Sequence, residues 1–436
     1  MRRTIVLFTT MALTVLVASG VALALTKIGS AGAQSSVVGL GESIQKAVNA
    51  AHPGDTIVVR GVHREDVIIR KDGIKLRGED AVIEAPPKAK ADSPCSRLLG
   101  PEAICVWGDF NIKTGKLTGP RVSDVSVSGF TIRGFKIKGK GDNTAFVIDV
   151  YAARNATVVG NRITGNVASG IAFGKSPNTT IAKNHVIGSP ETEHGIIVDS
   201  SSRTKIVNNV VRSNVYGIDL NKSPNTTIAG NDSIGNVADG FGVFDSPGTK
   251  ILSNVARRND TVGIFLGDTQ RANAKVVGND LSGSDFGIYV SNSQGGSFTG
   301  NQVHDNCAGM YFAASASQPV GDFAVKGNTV KDNTLSCAAP PPAISGIGIG
   351  LFGARGMEVT GNHLSGNVPS GPSVVSGGVV VGVDPLADRA TKPTNNSVIG
   401  NHFGRNKPDI FWDESGTGNS FLGNLCDTSV PSSLCN

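Results

Sequence analysis

The 436 residues include 56 glycines, with 5% aromatic, 17% charged and 39% hydrophobic residues and a formal charge of +5. The apolar share suffices for a core and excludes wholesale disorder. Collagen is excluded because the glycines keep no period of three, and a coiled coil because Gly, Asn and Thr are poor helix formers. The small net charge leaves no nucleic-acid footprint.

The chain opens with Arg2 and Arg3 before an apolar run from Ile5 to Leu25, with no acidic residue before Glu42. Ala31-Gly32-Ala33 is a small-residue cleavage site, so residues 1–33 read as a signal peptide; an uncleaved anchor is the alternative. Cleavage removes Arg2, Arg3 and Lys27 and leaves a nearly neutral mature chain. Residues 34–55 read as an N-terminal cap. Within it, Ile44, Ala47, Val48 and Ala51 fall at helical spacing after a cap at Ser43, and Pro53-Gly54 ends the helix.

From Thr56 onward the apolar period is two, in strands of three to five residues such as Ile264-Phe265-Leu266. A G-N-x-[IVL] signature marks Asn161, Asn184, Asn209, Asn231, Asn254, Asn279, Asn301, Asn328, Asn362, Asn401 and Asn424, mostly 22–25 residues apart. A second Asn follows five residues later at Asn166, Asn214, Asn236, Asn259, Asn306, Asn333, Asn367 and Asn406. Each unit is too thin to bury its own apolar face, but stacked units share a core. The expected fold is therefore all-β, a single-stranded parallel β-helix of about 13 rungs. Asn side chains stack inside its bends, because an interior amide needs a partner. Residues 86–120 read as a loop excursion, 338–394 as inserted loops enclosing a strand at Val379–Val383, and 424–436 as a C-terminal cap. Six cysteines in an exported chain suggest disulfides, and their grouping favours Cys95–Cys105, Cys307–Cys337 and Cys426–Cys435.

The stretches Ile44-Gln45-Lys46-Ala47-Val48, Gly54-Asp55-Thr56-Ile57-Val58-Val59 and Asp72-Gly73-Ile74-Lys75-Leu76-Arg77-Gly78, with the G-N-x-[IVL] series, resemble the right-handed parallel β-helix repeat families, pectin-lyase-like and NosD-like, over roughly residues 40–425. The resemblance implies right-handedness and an outward groove for polysaccharide. The paired-Asp, G-H-G and R-I-K motifs of polygalacturonase-like hydrolases are missing. Tyr216-Gly217-Ile218-Asp219 resembles the first half of the Y-G-[FI]-D-P-H motif of mannuronan epimerases, with Leu220-Asn221 in place of Pro-His.

Register suggests a site. The residues before the strand-opening glycines are His194, Tyr216 and Asp239 on successive rungs. Two positions after the glycine come Asp219, Phe265, Tyr289 and Tyr311, and four or five after it Asp199, Asn221, Asp245, Asp268 and Asn292. His194, Tyr216, Asp219 and Asp239 are the candidate catalytic set: a base (His194 or Tyr216), a proton donor (the other), and a carboxyl that is protonated or tunes Tyr216. Asp199, Asp245, Phe265, Asp268, Tyr289 and Tyr311 are the candidate substrate-binding set. His185, His363 and His402 each follow a ladder Asn on widely separated rungs, which argues against a shared metal. No metal site is read; a calcium ion is conceivable but nothing supports it, and no other cofactor is implied. His304-Asp305, Lys331-Asp332, Arg212 and Arg257 share a charged edge. His52 and His63 have no evident partner.

The chain thus reads as a secreted, monomeric β-helix protein whose partner is a polysaccharide or cell-envelope glycan, with no nucleic acid and, after cleavage, no membrane. Its best enzymatic reading is a lyase or C5-epimerase acting on a uronate polymer. The alternatives are a non-catalytic glycan-contact solenoid and a NosD-like accessory factor for metalloenzyme maturation.

Overall fold

A computed structural model describes residues 32–86, 102–111, 113–135, 145–314, 319–337, 342–387 and 391–435. The signal-peptide reading falls, apart from its last two residues, outside them, as does Cys95. No helix among the described residues is long and apolar enough to cross a membrane.

One rung shows why this sequence coils. Thr180–Ala182, His185–Ile187 and His194–Asp199 are three strands separated by bends, and each pairs in parallel with its counterpart one repeat on: Lys205–Val207, Val210–Arg212 and Tyr216–Asn221. Repeated along the chain, the third strands form a 14-stranded parallel sheet, and the first and second a 25-stranded one. At about 4.8 Å per rung, the 14-stranded sheet is on the order of 60 Å long. The early rungs run as long strands, Thr56–His63, Lys75–Glu84 and Ser126–Arg133. From Gly160-Asn161 onward the bend divides that strand into Thr157–Val159 and Arg162–Thr164, both paired with Ser126–Arg133.

The core is a set of aligned columns. Ile181, Ile206, Ile228, Ile251, Val276 and Phe298 are consecutive register partners, all fully buried. The Asn ladders line two bends. Along the first ladder, the Oδ1 of each Asn from Asn184 to Asn424 accepts both the backbone N–H and the Nδ2–H of the ladder Asn one rung earlier, as Asn231 does from Asn209 at 2.9 and 2.9 Å. The third bend carries a hydroxyl ladder absent from the sequence reading. Ser176 N–H donates to Ser201 Oγ, Ser201 to Ser223, Ser223 to Ser246, Ser246 to Thr269 and Thr269 to Ser293. The second Asn ladder lapses at Ser189 and Ser284. There Asn214 Oδ1 and Ser284 Oγ are buried without a hydrogen bond, so each lapse leaves an orphan.

The cap helix is Ile44–Ala50, with the Ser43 side chain accepting from Lys46 N–H. Glu65 adds two more acceptors at its N-terminus, from Ile44 N–H at 2.7 Å and Gln45 N–H at 3.2 Å. The 86–120 segment is not wholly a loop: Ile104–Trp107 pairs with Val67–Ile69 and Phe146–Tyr151 as a rung strand. The strand read near Val379 is Gly377–Gly382. Disulfides join Cys307 to Cys337 and Cys426 to Cys435, the latter closing the C-terminal cap, and Cys105 is disulfide-bonded.

Candidate functional site

The outward face of the 14-stranded sheet gathers most of the candidate residues. His194 pairs with Tyr216 and Asp239 with Val262, so the residues before the glycines stack on consecutive rungs as the spacing requires. Asp219, Gly242, Phe265, Tyr289 and Tyr311 are likewise consecutive partners.

Four ionisable side chains converge. His194 Nδ1 lies 3.0 Å from Asp219 Oδ2, yet neither Nδ1 nor the buried Asp219 Oδ1 makes a hydrogen bond. Nε2 lies 3.6 Å from Glu193 Oε1. The Tyr216 ring stacks on the imidazole, with centroids 5.2 Å apart and planes 23° from parallel. The backbone N–H of His194 donates to Ser169 Oγ on the rung before, fixing where the imidazole starts. Asp219 leans across Gly242, where a Cβ would stand 2.4 Å from its Oδ1, so this close approach requires glycine.

Electrostatics assigns protonation states. Burial, with Asp219 nearby, pushes the Asp239 carboxyl up to about 7. Burial and the charges of Asp239, Asp219 and Glu193 raise the Tyr216 phenol above its ordinary value. Tyr216 therefore keeps its proton at neutral pH. Among the described residues, no Arg or Lys forms an ion pair with Glu193, Asp219 or Asp239.

An aromatic stripe continues downstream. Phe244 packs on Phe265 at 5.0 Å, Phe265 on Tyr289 at 5.5 Å, and Tyr289 on Tyr311 at 5.6 Å. Phe265 and Tyr289 are half-buried, but Tyr311 is fully buried, its hydroxyl 2.6 Å from Asp384 Oδ1. Tyr311 is therefore corrected from an open sugar platform to a covered one, because the inserted loops lie over it. The proposed column of acids also divides. Asp199 and Asn221 are register partners on the strands, and Asn221 Nδ2 donates to Asp199 at 2.8 Å. Asp245, Asp268 and Asn292 stand one residue further on, at left-handed turn positions with φ of 44°, 52° and 50°. Asp245 and Asp268 are exposed at the corner rather than on the face.

Several residues escaped the sequence reading. Glu193 flanks His194 in plain sight. Phe244 occupies the Asp199–Asn221 column and was obscured by counting turn and strand residues together. Asp149, in the same column as Asp219 further upstream, accepts a 2.6 Å hydrogen bond from Trp107 Nε1, and burial raises it to about 7. Its partner Trp107 lies 42 residues away, beyond any local pattern.

The remaining histidines fall elsewhere. His363 and His402 are not on widely separated rungs: the stretch between them is one rung with an insertion, which holds the strand Gly377–Gly382, so the two are direct register partners with rings 6.0 Å apart, while His185 pairs with Arg162 and Val210. His304 lies between Asp280 (3.0 Å) and Asp305 (2.7 Å) and in register with Lys331. His63 is buried between the carbonyls of Glu42 and Arg60, and His52 faces Asp55.

A coil of short parallel strands with polar ladders at its bends and an outward acid–base cluster defines a class of solenoid, and sequence comparison agrees. The chain matches the family described as right handed beta helix region over residues 110–256, 148–295 and 238–384, and belongs to it. A search of curated proteins finds no match. Among solved structures, the catalytic unit of the α-1,3-glucanase from Streptomyces thermodiastaticus is similar at TM-score 0.51 and 12% identity, over 92% of this chain and 70% of that one. The family 28 exopolygalacturonase of Yersinia enterocolitica gives 0.51 and 11%, over 90% and 78%. The mannuronan C-5 epimerase AlgE4 A-module of Azotobacter vinelandii gives 0.49 and 15%, over 88% and 93%. At these identities the likeness concerns the fold.

Proposed function

We propose that this protein binds an acidic polysaccharide on the outer sheet face from His194 to Tyr289 and transfers the C5 proton of a uronate there, by β-elimination or epimerisation. The observation that carries the reading is the His194–Asp219 contact with Tyr216 stacked against it. His194, oriented by Asp219, is the base that takes the proton. Tyr216, held protonated, delivers one to the leaving oxygen or to the opposite face of the sugar. Among the described residues no Arg or Lys is ion-paired with this cluster, and Asp239, protonated below about pH 7, serves by donating a hydrogen bond to the uronate carboxylate. Phe244, Phe265 and Tyr289 supply ring surfaces for stacking. The glucanase and exopolygalacturonase of like fold are named for action on polysaccharides, which agrees with this substrate class. The disulfides and the apolar N-terminal segment agree with export as a single-chain protein.

The test is a panel of uronate polymers, read for unsaturated products and for C5 proton exchange. His194→Ala and Tyr216→Phe are each expected to lower turnover by about 10² or more while binding persists. Unchanged turnover in both variants would overturn the residue roles. Binding without product or exchange on every polymer would leave a glycan-contact solenoid and remove the enzyme.

A second expectation concerns the stripe. Phe265→Ala should weaken binding of the same polymers about tenfold with little change in folding, because the ring is half-buried and lies on the outer face; equilibrium binding of the purified chain checks it.

A further inference from the structure

The outer face of the 14-stranded sheet is open over only part of its length. Downstream, the next three rungs are covered. Ala308, Tyr311 and Ala313 are buried on one rung, Ile347 and Phe352 on the next, and Val380 on the one after. Their cover is the inserted loops: Ile344, Val375 and Leu386 pack on this cluster. Two fastenings hold that cover, the Cys307–Cys337 disulfide and the hydrogen bond from the Tyr311 hydroxyl to Asp384.

Upstream, the segment that leaves the rung strand Ile104–Trp107 folds back on itself through a bridge between Phe110 and Leu117. It lies against the outer face: Phe110 packs on Tyr151 at 4.4 Å, and the carbonyl of Gly115 accepts hydrogen bonds from the Tyr151 hydroxyl at 3.0 Å and from Lys175 Nζ at 2.6 Å. Between these two covers the partly exposed outward side chains run from the His194 rung to the Tyr289 rung. That is five rungs and four intervals, about 19 Å.

We infer that the groove is closed at both ends and admits the end of a glycan chain, holding about four sugar residues, rather than a polymer passing through. The inference rests on the glycan reading above. Its direction follows from the register. The His194–Tyr216–Asp239 column and the Phe244–Phe265–Tyr289 stripe both run along the coil axis, so a sugar chain that uses both lies along the axis and meets both walls. An extended 1,4-linked pyranose chain advances about one rung spacing per residue, so a four-interval window holds about four residues.

The experiment is calorimetric titration of the full chain with uronate oligosaccharides of two to ten residues, together with the size profile of early products from the polymer. Affinity is expected to climb to about four residues and then stay level within about twofold, and early products to be short and released from chain ends. A tenfold or greater gain from four to eight residues, or early products from mid-chain cleavage, would overturn the closed window while leaving the glycan reading intact. No binding at any length would overturn both. Asp384→Ala, which removes the hydrogen bond to Tyr311, is expected to move the plateau to longer chains. Leu386→Ala is the second variant at the same wall, and an unmoved plateau in both would show that this wall does not set the limit.

Discussion

Asn231→Ala is expected to lower stability by about 3 kcal/mol or more, far beyond a surface Asn→Ala change. Asn231 Oδ1 accepts the N–H and Nδ2–H of Asn209, while its own Nδ2 reaches the carbonyl of Ile206 at 2.8 Å and Asn254 Oδ1 at 3.0 Å. Truncation leaves the buried backbone N–H of Asn209 unpartnered and takes one hydrogen bond each from the Asn209 amide and the Ile206 carbonyl, in a buried bend. The loss is read from the midpoint of chemical denaturation. The same logic run in reverse predicts that Ser284→Asn stabilises by about 1 kcal/mol, since it restores the lapsed rung and faces the Asn306 Oδ1 that already accepts from Ser284 N–H. A neutral result at Asn231 would show that water enters the bends and that the ladder is ornamental.

Asp239→Asn is expected to separate stability from activity. The carboxyl is pushed up to about 7 in the folded chain, against about 3.9 when unfolded. Between those values the folded state holds the extra proton, so wild-type stability falls as pH rises from about 4 to about 7 and stays lowered above it. The loss is on the order of 4 kcal/mol. The amide never ionises. The variant should therefore match wild type near pH 4 and exceed it at pH 8, with the difference between the two denaturation curves growing across that window. Asp149 carries a shift of its own and contributes the same slope to both proteins, so only the difference is informative. On uronate polymer the variant keeps a hydrogen-bond donor at low and high pH alike. Its activity is then expected to lose the decline above about pH 7 that wild type shows as Asp239 ionises. A variant no more stable than wild type at pH 8 would refute the buried, protonated carboxyl.

Much of this was legible in the chain. The 22–25-residue step of Asn161 to Asn301 required stacked coils, and the first ladder forms at those positions. The cap helix, the division of the 338–394 segment around a strand, and two of the disulfides followed from spacing and grouping alone. The hydroxyl ladder did not, because Ser and Thr are common at turns for other reasons and Ser176, Ser201 and Ser223 stand out only once they are stacked. Within the candidate site, the His194–Tyr216 pairing followed from taking the residue before each strand-opening glycine. Asp245 and Asp268 were misplaced because one residue of turn geometry moves a side chain from the face to the corner.

The sequence by itself determined the coil, since each repeat carries its own bend chemistry and a strand period of two, and those are local properties. Tertiary structure alone decided where the face is open. Asp384 reaches Tyr311 across 73 residues, and the backbone of Gly115 reaches Lys175 across 60. Inserted loops have no repeat to hold them in register, so their landing place depends on packing and not on spacing. The same holds for proton affinity: Asp239 is an ordinary acid in sequence and holds its proton up to about pH 7 in place, because burial beside a second carboxyl is a property of the folded neighbourhood.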